Sequence, residues 1–107
     1  MLDLSQNHLE IVVSILRRLV PEYEVWAFGS RVTGKAKKYS DLDLVVISGL
    51  PLDFGLLGRL RDAFSSSDLP MKVDLVDWTT VSGEFREIIK RNYEIVKYGN
   101  EESEDSI

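Results

Sequence analysis

The chain has no cysteine and a single histidine, His8. Without thiols there are no disulfides, thiolate metal centres or cysteine nucleophiles, as befits a reducing compartment. One imidazole excludes a histidine dyad and a three-histidine zinc site. Long apolar runs are missing as well. None exceeds four residues, the longest being Val25–Phe28 and Leu44–Ile47, so no transmembrane helix is expected. The opening Met1-Leu-Asp-Leu-Ser-Gln carries an acid where a secretory signal has base, and no apolar stretch follows. A cytoplasmic location with no membrane contact is the expectation. Charge of one sign is scarce once the C-terminus is set aside. Glu101, Glu102, Glu104 and Asp105 account for four of the 18 acids, leaving residues 1–100 with 13 bases against 14 acids. The body is nearly neutral, which disfavours nucleic-acid binding through bulk positive charge but not through a local basic patch.

What is present is ordinary for a soluble globule: 107 residues, 44% hydrophobic and 29% charged. That length supports one domain, read as residues 1–99, followed by an acidic tail over 100–107 with too little apolar content to pack. Residues 5–20 read as an amphipathic helix, with Leu9, Val12, Val13, Leu16, Leu19 and Val20 on one stripe. Ser5 is its N-cap and Pro21 its stop. Glu24–Phe28 reads as a strand ending at Gly29, and residues 29–40 as a loop with four bases. Asp41–Ile47 is the clearest strand, apolar on both faces beyond Asp43. Residues 53–65 form a helix that Gly55 and Gly58 weaken by about 1 kcal/mol each. Met71–Val76 alternates as a strand, Ser82–Arg91 is a helix with Phe85, Ile88 and Ile89 inward, and Tyr93–Tyr98 is a short closing strand. This order predicts an α/β (α+β) domain: a small mixed sheet of about four strands with helices across one face.

The chemistry concentrates between Phe28 and Val46. Asp41 and Asp43 stand at strand spacing and project to one side of the sheet. Paired carboxylates repel unless a cation lies between them, and Mg²⁺, with its oxygen ligands and retained waters, suits such a pair. An isolated Asp-x-Asp is more often just a solvated strand end. Asp74 shifts that balance, because it lies mid-strand between Val73 and Leu75. If its strand pairs beside Asp41–Ile47, three carboxylates converge, enough to hold two metal ions ~3.5–4 Å apart for phosphoryl transfer. Asp77, at the end of the same strand, reads as a cap for the next segment. Gly29 permits a tight turn, and the N–H groups after it, with the Ser30 hydroxyl, can cradle anionic oxygens. Arg31, Lys35, Lys37 and Lys38 crowd positive charge beside that turn. Gly-Ser, ten residues, then Asp-x-Asp arises by chance in about one chain in a hundred or fewer. His8 is given no role; Trp26 and Trp78 read as core or edge packing, and Tyr39 as local packing.

The pattern Gly29-Ser30-x10-Asp41-x-Asp43 with Asp74 resembles the DNA polymerase β-type nucleotidyltransferase superfamily. Within it, the chain resembles the minimal nucleotidyltransferase (MNT) domain that partners HEPN-domain toxins, and the likeness spans the first helix to the strand near Tyr98. The resemblance implies a polymerase β-like fold and a nucleoside triphosphate, ATP, held at Gly29, Ser30 and Arg31. It also implies Mg²⁺, two ions, on Asp41, Asp43 and Asp74, with Ser30 and the three aspartates forming the catalytic set. For the antitoxins it implies transfer of AMP to a tyrosine of the HEPN RNase toxin, silencing it. The loop departs at one position: where the family commonly has Gly-Ser-Arg-Ala-Arg-Gly, this chain has Thr33 in place of the second arginine. Two other readings stand beside this one. A non-catalytic antitoxin would neutralise its partner by contact alone. A nucleotidyltransferase acting on RNA ends would keep the chemistry, against the near-neutral body.

Overall fold

Each of the three longer helices begins at a side-chain cap that its sequence supplies. In the computed structural model, which describes residues 2–100, Ser5 accepts from the His8 N–H at the start of α1 (Gln6–Leu19). Asp53 does the same for Leu56 at α3 (Phe54–Ser65), and Ser82 for Phe85 at α4 (Gly83–Arg91). Such caps satisfy N–H groups that a helix cannot satisfy itself. A single turn, α2 (Ser30–Thr33), lies within the stretch expected as loop, and a 3₁₀ turn over Trp78–Thr80 precedes α4.

The strands are β1 (Glu24–Phe28), β2 (Leu42–Ile47), β3 (Val73–Asp77) and β4 (Glu94–Lys97). They form one mixed sheet in the order β3-β2-β1-β4. β1 runs antiparallel to both β2 and β4, while β2 and β3 are parallel, joined through α3. Strand periodicity sorts the side chains. Leu42, Leu44 and Val46, with Val25, Ala27 and Leu75, meet Val12, Ile15 and Leu16 of α1 and Leu60 and Phe64 of α3. Full burial of each such side chain contributes ~1.5–3 kcal/mol. The other face carries Phe28 and Val45, which pack on Ile89 of α4 with Trp26, Ile47, Val76 and Trp78 around them.

Helices therefore cover both faces, not one. The expectation of a single helical layer fails because helical periodicity shows which stripe is buried, not which side of the sheet receives it. The inward stripe of α4 is also narrower than expected: Ile89 is sealed, but Phe85 and Ile88 remain 39% and 55% exposed.

At the β4 edge, Lys97 is fully buried, and its ammonium donates to the carbonyls of Pro21, Tyr23 and Tyr98. Three carbonyl acceptors offset the desolvation of a charge that burial alone would forbid. This ties the end of the sheet to the α1–β1 connection. The expected acidic tail over 100–107 lies, apart from Asn100, outside the described residues.

Candidate active site

Two backbone pairings assemble the site. Phe28, the last residue of β1, is opposite Asp43, and Asp43 is opposite Asp74 across the parallel β2–β3 pairing. Paired residues share a face, so Asp43 and Asp74 project together on the α4 side, next to where β1 gives way to Gly29. Gly29 has φ +80° and ψ −156°, a conformation open essentially to glycine. A Cβ there would fall 2.3 Å from Asp43 Oδ2, so only glycine lets the chain pass this close to the carboxylate.

From Gly29 the chain enters α2. The Val32 and Thr33 N–H groups donate back to the Gly29 carbonyl at 3.0 and 3.1 Å. By helix geometry the N–H groups at the start of such a turn have no partner within it. Half-buried Ser30 stands at this start, next in the chain to Gly29.

The electrostatics single out Asp43. Its carboxyl is pushed up to about 6, first by burial, then by the negative charges of Asp74 and Asp41. Asp74 is exposed on its strand, and Asp41 stands exposed just before β2 begins at Leu42. The structure thus brings Asp43 and Asp74 together and holds Asp41 within reach of their charge. Among the described residues, no three His, Cys, Asp or Glu side chains stand close enough to form a complete ligand cage.

The Arg31 side chain is engaged within the protein. It is buried, and its guanidinium donates to the carbonyls of Asp3 (2.9 Å), Ser40 (3.0 Å) and Lys38 (3.3 Å). Arg31 therefore holds the N-terminus and the 35–40 loop around α2, a structural duty that leaves only its main chain at the turn. Lys35, Lys37 and Lys38 are exposed. Tyr39 is 68% exposed rather than locally packed, with the Lys38 ammonium 5.3 Å from its ring centre.

Asp77 caps the next segment, as its position predicts. It is buried and accepts from Ser48 Oγ, the Leu52 N–H, and both the N–H and hydroxyl of Thr79. Burial would raise its pKa, but these hydrogen bonds outweigh burial and hold it below the usual range. Trp26 and Trp78 pack against each other edge-on, with Tyr93 stacked on Trp26 and Arg86 over Trp78.

A cavity of about 330 Å³ opens between the acids and α4, bounded by Phe28, Gly29, Thr33, Asp43, Asp74, Phe85, Ile88 and Asn92. Thr33 lines this space. The sequence assigns Phe85 and Ile88 to the core and gives Asn92 no role, although their spacing with Ile89 (i, i+3, i+4, i+7) marks one helical stripe that also borders this space. A larger groove of about 670 Å³ along α1 contains neither the aspartates nor the glycine turn.

A mixed sheet with Asp-x-Asp at the start of one strand, a third aspartate paired beside it and a Gly-Ser turn opposite defines the nucleotidyltransferase class. The chain belongs to the nucleotidyltransferase domain family, whose model matches residues 9–102. It is 60% identical over 96 residues to a Haemophilus influenzae protein named "Probable protein adenylyltransferase MntA", covering 90% of this chain and 84% of that one. Its fold matches a crystal structure described as a toxin–antitoxin with AMP-PNP, at a TM-score of 0.71 and 24% identity over 90% of this chain and 77% of that one. It also matches the complex of a tri-AMPylated Shewanella oneidensis HEPN toxin with its MNT antitoxin, at a TM-score of 0.66 and 23% identity over 92% and 76%. Among the described residues no helix is long and apolar enough to cross a membrane.

Proposed function

We propose that this protein is a cytoplasmic, metal-dependent nucleotidyltransferase antitoxin that transfers AMP from ATP to a tyrosine hydroxyl of a HEPN-domain RNase toxin. The observation that carries this reading is the pairing of Asp43 with Asp74 beside the Gly29-Ser30 turn. The 60% identity to a protein named as an adenylyltransferase supports the same reading.

The donor set fits a hard divalent cation. All its candidate side-chain ligands are carboxylate oxygens, and Asp43, whose pKa is raised first by burial, is raised further by the charges of Asp74 and Asp41, a repulsion that a cation would relieve. Asp41, Asp43 and Asp74 would hold two Mg²⁺ ions, with water and phosphate oxygens completing shells the side chains leave open. Bound there, the ions would supply charge neutralisation at the phosphates.

The protein's own groups do the rest. The Ser30 hydroxyl and the first N–H groups of α2 hold phosphate oxygens. The acceptor oxygen attacks the α-phosphorus in line, the bond to the β-phosphate oxygen breaks, and pyrophosphate leaves. Exposed Asp74 would take the acceptor's proton. The acceptor need only be presented in line, so a tyrosine on a docked helical protein suffices.

The reading is tested by incubating the protein with a HEPN-domain toxin, ATP and Mg²⁺, and measuring pyrophosphate. Release that requires the toxin and its tyrosine supports transfer. Neutralisation of the toxin with no release would assign the protein to the contact-only class. Release with RNA ends in place of the toxin would move the acceptor to nucleic acid.

A further inference from the structure

Strand β3 is an outer strand of the sheet. It pairs with β2, and among the described residues nothing pairs with its other edge. The Leu42 N–H donates to the Lys72 carbonyl at 2.9 Å, which turns the main chain of Lys72 toward β2. Main-chain groups alternate in direction along a strand, so the N–H and C=O of Val73 and Leu75 face outward. A cavity of about 560 Å³ lies against this edge. Residues 69–75 line it without a gap, and α3 closes its far side with Arg61, Phe64 and Ser65. Successive strand side chains point to opposite faces, so a space touching all of them runs along the edge rather than over one face.

This cavity meets the candidate active site at one residue. Asp74 lines it and also lines the cavity of about 330 Å³ that reaches Gly29 and Asp43; no other described residue is common to both. The two spaces therefore approach Asp74 from different sides. The transferase reading puts the donor's phosphates at the Gly29-Ser30 turn, on the α4 side. In-line displacement needs the attacking oxygen opposite the leaving one, and Asp74 is the group assigned its proton. The β3 edge is then the acceptor's approach. Besides Asp74, the charged residues around the edge cavity are Arg61 and Lys72, both exposed and both positive.

We propose that an extended protein segment carrying the acceptor tyrosine docks by adding a strand to the open edge of β3, and that acidic residues flanking the tyrosine select it through Arg61 and Lys72. This inference rests on the transferase reading above. The outward N–H and C=O groups of Val73 and Leu75 supply main-chain hydrogen bonds, which any sequence can make. Preference must then come from side chains, and the two cations favour carboxylates. An added strand alternates its own side chains. With the tyrosine on the Asp74 face, its immediate neighbours lie on the α3 face, beside Arg61, and the next ones on the face that Lys72 shares with Asp74.

The probes are two end-blocked tyrosine decapeptides, one with glutamates and one with lysines on both sides of the tyrosine, beside a HEPN-domain toxin. Each is incubated with ATP and Mg²⁺, and adenylylation is followed by mass. Wild type should prefer the glutamate peptide by about fivefold or more in kcat/KM. Arg61→Glu combined with Lys72→Glu should invert that preference at unchanged ATP affinity. Val73→Pro removes an outward N–H and no ladder bond, so it should lower transfer to the glutamate peptide about fivefold, again at unchanged ATP affinity. The charge-reversed variant carries the test should Val73→Pro fail to fold. Equal use of the two peptides, a preference that survives charge reversal, a folded Val73→Pro with full transfer, or a toxin modified while neither peptide is, would overturn the edge dock and leave the transferase reading standing. Transfer to RNA ends that charge reversal abolishes would give the edge to nucleic acid and overturn it as well. No adenylylation of toxin or peptides would overturn both.

Discussion

Asp43 and Asp74 lie directly across from each other in the parallel pairing of β2 with β3, on the sheet face that α4 only partly covers. The fold thus places two like charges side by side, with a third, Asp41, close enough to act on the first.

That arrangement makes metal-free stability depend on pH. The Asp43 pKa rises from 3.8 to about 6 on folding, so the folded state holds this proton more tightly than the unfolded state. The resulting contribution to stability is complete below about pH 4 and is lost as pH rises through about 6. Asp43→Asn has no such loss. Without divalent cations, its melting temperature should match wild type near pH 4 and exceed it by a few degrees at pH 7. A gap that narrows as pH rises would contradict the account.

Gly29→Ala should damage both fold and activity. The backbone conformation alone costs ~1–3 kcal/mol for a non-glycine residue. The added Cβ would also displace the Asp43 carboxylate. Calorimetric unfolding and Mg²⁺-dependent ATP binding should both fall; unchanged ATP affinity would mean that Gly29 does not shape the site.

Ser30→Ala should spare the fold. Ser30 begins a single turn and its hydroxyl is assigned to phosphate, so about 1–3 kcal/mol of nucleotide binding or transition-state stabilisation should be lost at an unchanged melting temperature. A large drop in melting temperature without selective loss of activity would make Ser30 a turn residue only.

Arg31→Met should show the reverse. Removing the guanidinium strands three carbonyls, those of Asp3, Lys38 and Ser40, at a cost of roughly 2–3 kcal/mol. Thermal unfolding should move well down while tripolyphosphate affinity, measured below the transition, holds. Lost affinity at full stability would return Arg31 to the phosphate site.

Arg31 also marks the limit of what the sequence discloses. Local signals placed every strand and long helix within one or two residues, because caps such as Ser5, Asp53 and Ser82 and the strand periodicity of 42–47 are written in neighbouring residues. The Asp43–Asp74 pairing was legible too, once the two strands were taken as neighbours. Arg31 and Lys97 were not, since the carbonyls that allow a buried cation come from residues 3, 21 and 23 and from loops whose course no local pattern fixes. The exposure of Phe85 and Ile88 was hidden for a related reason. An apolar helical stripe looks the same whether it closes a core or borders a cavity.

The most direct test of transfer to a protein acceptor is the intact mass of the toxin after incubation with ATP and Mg²⁺, using wild type, Asp74→Asn and the triple variant Asp41→Asn, Asp43→Asn, Asp74→Asn. The account predicts that wild type adds one or more adenylyl groups to the toxin. Asp74→Asn should add none while largely retaining ATP, and the triple variant should neither modify the toxin nor rescue growth. A toxin of unchanged mass with wild type, or rescue that survives the triple substitution, would contradict it.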